Sequence, residues 1–357
     1  MDVMQELQTV GLSPIRPDSL NKAMGKTTFA DDMAFPRMAH ASVFFSPCAH
    51  GRIRSLDFSP ASAIPGTLAI IGARDIPGRN RIPLMKDDWI FLASDRVVFA
   101  GEPIALVVAE TQEAADEAVR NIRVEFEKLQ PILDPEVSIK PETRPINMLG
   151  NILSEHKILR GNIEQGFDEA DVVVEGVYET GYQEHAYLET LSYVAVPGPD
   201  NAMSVYGTMQ CPFYVQSAVA AILGKSESEI HIIQTPTGGA FGGKEDMPSL
   251  YAGLAALGAH LLQRPVKLTL SRRDDMIMTS KRHPARCYYR TGARKNGSLV
   301  ACEARIYLDA GAYATLSPAV LWRCTVHSCG PYRIPNVRVN AYACATNKSP
   351  SGAFRGF

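Results

Sequence analysis

Apolar positions change period several times along this chain, and each change marks an element. "IALVVA" at 104–109 is an unbroken apolar run, the pattern of a strand buried on both faces. Thr111 then suits a helix N-cap, and Ala114, Ala115, Ala118, Val119 and Ile122 recur at helical spacing. "RVEFE" alternates again, so the pattern predicts a β-α-β unit over 104–127. The run that follows, 129–151, has four prolines and little periodicity, which predicts a domain boundary with a linker over 136–150.

Beyond it, "DVVVEGVYETGY" (171–182) alternates as a strand, and "SYVAV" and "MSVYG" flank "PGPDN" as a hairpin. "FYVQSAVAAIL" (213–223) predicts a helix stopped by Gly224. "IHIIQ" (230–234) is a strand, Pro248 opens a helix running to about Gln263, and "VKLTLS" (266–271) returns to alternation. This order of elements is that of an α+β or mixed α/β protein.

"TPTGGAFGGKED" (235–246) therefore joins a strand to a helix. Small residues let backbone approach a bulky ligand closely, and backbone N–H groups at a helix N-terminus can face an anion or polar group. Gly238, Gly243 and Lys244 satisfy all of the Walker A pattern but its last position, where Glu245 replaces the hydroxyl that binds Mg²⁺. A carboxylate there would repel a nucleotide triphosphate, which argues against an ATP site. "SPSGAFRGF" (349–357) repeats the theme, with Gly352 and Gly356 bracketing Phe354 and Arg355. An end inside such a motif points to a truncated product or to completion by another chain.

Composition narrows the field. The 357 residues carry a net charge of −2, with no electrostatic footprint for nucleic acid. Met1–Leu12 has two acids and no basic stretch, unlike a secretory signal, and the apolar stretch 250–262 is too short for a membrane span. A soluble cytoplasmic protein is the expectation. Seven cysteines without a C-x-x-C pair argue against a disulfide framework, a zinc ribbon or an iron–sulfur cluster on this chain. His185, beside Glu184 and Glu189, lacks the H-E-x-x-H spacing and is read as structural.

"GGAFGGKE" and "GAFRGF" together resemble the molybdopterin-binding subunit of the xanthine dehydrogenase/aldehyde oxidase family of molybdenum hydroxylases. Residues 99–136 are similar to that family's α/β-hammerhead domain, and "YQEHAYLET", "SKRHP" and "GPYRIPNVRVNAYACATN" are similar to family segments in the same order. The resemblance runs from about Asp18 to Phe357. It implies a hammerhead domain over 18–135 and the first molybdopterin-binding domain over 151–357, the second being absent from this chain.

The resemblance also implies residue roles. Gln210 matches a glutamine that hydrogen-bonds an oxo ligand of molybdenum. Gly239, Ala240, Phe241 and Gly242 match a loop packed against the cofactor, and Phe354, Arg355 and Gly356 a second cofactor-facing turn. Glu245 and Arg323 match substrate-binding residues of purine-hydroxylating members, and Phe357 matches a phenylalanine that stacks on the heterocycle. The alternative reading makes Glu245 and Arg323 an ion pair or loop braces. The family's general base lies in the second molybdopterin domain, so none is assigned here, and the chain is expected to be inactive without that domain.

The expected activity is hydroxylation of an N-heterocycle, purine first, with a nicotinate-like ring or an aldehyde as alternatives. A non-catalytic or truncated half of the cofactor-binding subunit is the other class. Expected partners are a second molybdopterin-domain chain or the missing half, a [2Fe–2S] subunit and an FAD subunit. The sequence leaves open whether the molybdopterin carries a cytosine nucleotide.

Overall fold

A computed structural model describes residues 9–357; residues 1–8, most of the segment read above as unlike a secretory signal, lie outside the described residues. Seven strands form one sheet in the order Ile230–Gln234, Met203–Gly207, Ser192–Pro197, Val266–Thr269, Ala39–Phe45, Pro103–Ala109, Thr67–Gly72. Every residue of Pro103–Ala109 is buried, because both faces of the strand are covered. Ala105 and Val107 pack with Ala118 and Ile122 from the following helical segment, while Leu106 and Val108 join the main core on the other side. The helix Gln112–Arg120 begins where predicted, with Thr111 Oγ1 accepting from the Ala114 N–H at 3.2 Å.

The segment is β-α-β in sequence but not a parallel crossover. Arg123–Lys128 alternates between exposed and half-buried positions and pairs antiparallel with Gly51–Asp57, in a separate three-stranded sheet. Its half-exposed pattern suits that small sheet and not the doubly covered one.

The proline-rich run is held at both ends. The Ile132 N–H donates to Asn347 Oδ1 at 2.8 Å, and buried Asn147 donates to Asp88 Oδ2 at 2.7 Å and to the Ala312 carbonyl at 2.9 Å. Strands from both sides of the run also share the seven-stranded sheet, through parallel pairing of Ala39–Phe45 with Val266–Thr269.

Two helices cover the core face of that sheet. Pro212–Leu223 ends as predicted on Gly224, at φ 64°, and Met247–Leu262 is buried on every side through Ala259. They cross closely at Gly253, where a Cβ would sit 2.6 Å from Ile222 Cδ1. The alternation at 266–271 stops at Thr269, because Ser271 leaves the strand to cap the helix Arg272–Met278.

A second sheet has the order Val172–Thr180, Ala285–Ala293, Leu299–Gly311, Asn336–Ala345, Ile152–Arg160. The helix Ser317–His327 lies against it, with Trp322 edge-on to His156 at 5.3 Å. After the strand Asn336–Ala345 the chain turns into the second glycine motif, whose Ser351–Gly352 pairs with Lys281–Arg282.

Candidate functional site

The two glycine motifs, distant in sequence, touch. The Arg355 N–H donates to the Phe241 carbonyl at 2.9 Å, and the Arg355 guanidinium lies 5.9 Å from the Phe241 ring centroid. At Gly242 a Cβ would fall 2.7 Å from the Ala353 carbonyl oxygen, so only glycine allows this approach. Phe241 holds φ 55°, a left-handed conformation that costs an aromatic residue energy, and its side chain is exposed.

His185 closes the junction from behind. Its Nε2 donates to the Ala353 carbonyl at 2.7 Å, and its ring lies 5.0 Å from that of Phe354. Burial lowers the His185 pKa, and the carbonyl acceptor places a proton on Nε2. This is the structural role read from the sequence, now with a named partner.

Gln210 is fixed by the loop it faces. Its Oε1 accepts from the N–H groups of Gly242 at 3.0 Å and Lys244 at 3.3 Å, and its own backbone N–H donates to the Lys244 carbonyl at 2.7 Å. Two backbone donors identify that atom as the amide oxygen. The amide nitrogen makes no hydrogen bond among the described residues, and the residue is exposed. It is an oriented N–H donor beside the loop.

The Lys244 side chain turns inward. Its side chain is fully buried, with Nζ 3.0 Å from Glu189 Oε2 and 2.9 Å from Thr208 Oγ1, over the Tyr187 ring at 4.6 Å. Glu189 Oε2 also accepts from the Gly238 N–H at 2.7 Å and from Thr208 Oγ1 at 2.8 Å. Sequence reasoning noticed Glu189 only as a neighbour of His185 and gave Thr208 no role.

Glu245 is half-buried, and desolvation raises its pKa. Arg323 is exposed on the helix Ser317–His327, and Phe357 is exposed at the end of the second motif. Among the described residues, neither Glu245 nor Arg323 makes an ion pair, so they do not brace each other. Asp246 caps the helix Met247–Leu262 by accepting from the Met247 N–H at 2.9 Å, and burial pushes its pKa up to about 6.

Among the described residues, no helix is long and apolar enough to cross a membrane. The family described as a molybdopterin cofactor-binding domain matches residues 145–357, and the aldehyde oxidase and xanthine dehydrogenase a/b hammerhead domain matches residues 24–130. The chain is 39% identical over 353 residues to the nicotinate dehydrogenase large molybdopterin subunit of Eubacterium barkeri, covering 99% of this chain and 83% of the relative. It is 38% identical to a probable xanthine dehydrogenase subunit of Bacillus subtilis, covering 97% of this chain and 46% of the relative. Among solved structures, the aldehyde oxidoreductase from Desulfovibrio gigas superimposes with a TM-score of 0.89 at 26% identity, over 96% of this chain and 39% of that one. The chain thus spans less than half the length of the last two.

Proposed function

This chain belongs to the aldehyde oxidase and xanthine dehydrogenase family of molybdopterin-binding proteins, and from that premise we propose that it serves in hydroxylating an N-heterocycle, a purine first. The observation that carries the reading is that Glu245 and Arg323, on the two elements that the family resemblance assigns to substrate, make no ion pair among the described residues. An unpaired guanidinium can neutralise charge that grows on a ring carbonyl, and a carboxyl can hydrogen-bond ring N–H groups. Desolvation of Glu245 raises the fraction that can itself donate a proton in such a bond.

The residues present fit the molybdenum cofactor. Gln210 offers an oriented amide N–H₂, the loop leaves Gly239 and Ala240 half-buried and Phe241 exposed, and a Cβ at Gly356 would meet nothing within 4 Å. We assign Gln210, Gly239, Ala240, Phe241, Gly242, Phe354, Arg355 and Gly356 to holding it. When bound, the cofactor supplies the two-electron oxidation by which a water-derived oxygen enters an electron-poor carbon. This chain's own work would be to orient: the Gln210 amide would help hold the cofactor, Phe357 would offer a ring for stacking, and Glu245 and Arg323 would fix the heterocycle. No residue here is assigned the general base. That group, the [2Fe–2S] cluster and FAD are assigned to partner chains or to chain outside this sequence.

A second reading has its own support. The nicotinate dehydrogenase relative is covered over most of its length, and Arg323 could pair with a ring carboxylate as readily as with a carbonyl. Glu245 would repel that carboxylate, which is why the purine stands first. Elemental analysis of the assembled complex, followed by turnover with xanthine, hypoxanthine, nicotinate and an aromatic aldehyde, tests both. Stoichiometric zinc or iron in place of molybdenum would overturn the cofactor assignment. Turnover of the aldehyde alone would overturn the heterocycle.

A further inference from the structure

Lys244 is an unusual feature of this site: a fully buried ammonium on a loop assigned to the cofactor, paired inward with Glu189. Burial pulls its pKa down, and Glu189 at 3.0 Å pushes back. A buried cation of this kind is costly unless every partner is in place, so its connections are informative. Through Glu189 Oε2 it reaches the Gly238 N–H, at the start of the glycine loop. Through its own backbone N–H and carbonyl it grips Gln210 at the other side. Through Thr208 Oγ1, at 2.9 Å, it is tied to the strand end that carries Gln210.

We propose that Lys244 and Glu189 form a buried positioning clamp that sets the glycine loop and the Gln210 amide in their ligand-facing arrangement before the cofactor arrives. The purpose of the clamp rests on the cofactor reading above; its geometry does not. The loop needs such a device because Gly239, Phe241 and Gly242 all hold positive φ, at 96°, 55° and 102°. Within the loop a single turn bond, from the Gly243 N–H to the Ala240 carbonyl at 2.8 Å, spans Phe241 and Gly242, so the placement of the loop as a whole depends on groups outside it. Glu189 and Lys244 fix its two ends, and the Gln210 side-chain carbonyl is held between. Both clamp residues act only through Gln210 and the backbone, so they are positioning residues.

The test uses the assembled protein purified from host cells grown with and without molybdate. In the molybdate-free preparation, Lys244→Met should speed amide exchange at Gly238 and Gly242 on the order of ten-fold, with core amides of the helix Met247–Leu262 unchanged. In the loaded preparation it should move the Mo(V) paramagnetic resonance signal in the same direction as Gln210→Ala. Thr208→Val keeps the shape but removes one acceptor of Lys244, and should give a smaller rise at the same amides. Glu189→Gln keeps an accepting oxygen but leaves the Lys244 ammonium without its counter-charge, and should also speed exchange at Gly238 and Gly242. Wild-type exchange in both Lys244→Met and Thr208→Val would overturn the clamp, and so would a rise spread equally over the helix. If Lys244→Met does not fold, Thr208→Val decides alone. If the loop amides respond as expected but wild type takes up no molybdenum, the clamp stands and the cofactor reading alone falls.

Discussion

His185 donates through Nε2 to the Ala353 carbonyl at 2.7 Å, and this one bond ties the "YQEHAYLET" segment to the second glycine motif. The ring is buried, burial lowers its pKa, and Nε2–H remains a donor in either protonation state, so the contact does not depend on pH. His185→Ala should cost about 1–3 kcal/mol, since it leaves a buried carbonyl unpaired and removes the packing on Phe354. His185→Gln retains a donor and should lose less. Denaturant unfolding of both variants checks this; equal stability of His185→Ala and wild type would refute it.

Gly242→Ala places a methyl 2.7 Å from the Ala353 carbonyl at a backbone φ of 102°. Backbone oxygen cannot swing aside as a long side chain can, so the two motifs must separate. Gly297 offers the matched control, with φ 86° and nothing within 4 Å of a Cβ. Gly297→Ala should cost only the conformational strain, about 1 kcal/mol. Gly242→Ala should cost more and should also lower molybdenum content in the assembled complex. Similar losses in the two variants would show that the close approach is unimportant.

Three buried groups set opposite pH limits on stability. Glu102 is fully buried and bonded to Tyr313 and to the Val98 N–H, and burial pushes its pKa up to about 7. A carboxyl raised above its unfolded value contributes stability below that value and loses it as pH rises through 7. Asp246, raised to about 6, acts in the same sense. Buried His283 works the other way: burial lowers it to about 4, so its contribution holds above its unfolded pKa and fades as pH falls toward 4. The share of the unfolding free energy due to Glu102 should therefore decline between about pH 4.5 and 7 and be level above 7, and Glu102→Gln should flatten that decline. An unchanged slope in the variant would exclude Glu102 as its source.

Local patterns in the sequence identified most elements that carry the site. The apolar run before Thr111, the stop at Gly224 and the strand 230–234 all depend on neighbours a few residues apart, and all stand as read. What failed depends on partners far along the chain. "RVEFE" has a strand's alternation, but no local signal says that it pairs with Gly51–Asp57. The end of "VKLTLS" is the local exception: it alternates through Leu270, yet Ser271 caps the next helix by accepting from the Asp274 N–H three residues on. Lys244 resembled a phosphate-facing lysine because its loop resembled a phosphate loop. Its true partner, Glu189, is 55 residues away, and only the folded chain turns the ammonium inward. The contact between Gly242 and Ala353 is likewise invisible before folding, although both glycine motifs could be singled out separately.

Arg323 and Glu245 bear the substrate proposal. Arg323 is exposed, and neither it nor Glu245 makes an ion pair among the described residues, so truncation should leave folding intact and report on substrate. If the substrate is a purine, Arg323 meets charge that grows on the ring during hydroxylation. Its interaction is then stronger in the transition state than in the ground state, and Arg323→Met should lower kcat more than it raises KM. Loss of a preorganised charge partner of this type costs on the order of 10²–10³ in rate. Glu245→Val should lose more in KM, because its hydrogen bonds hold the bound purine before reaction as well. Turnover of an aromatic aldehyde should survive both changes or improve. With nicotinate as substrate the pattern inverts at Glu245: Arg323→Met should raise KM through loss of a carboxylate partner, and Glu245→Val should relieve a like-charge repulsion and lower it. Steady-state kinetics of the assembled complex with xanthine, hypoxanthine, nicotinate and the aldehyde distinguish these outcomes. Wild-type purine rates in both variants would remove Glu245 and Arg323 from the substrate site and the purine reading with them.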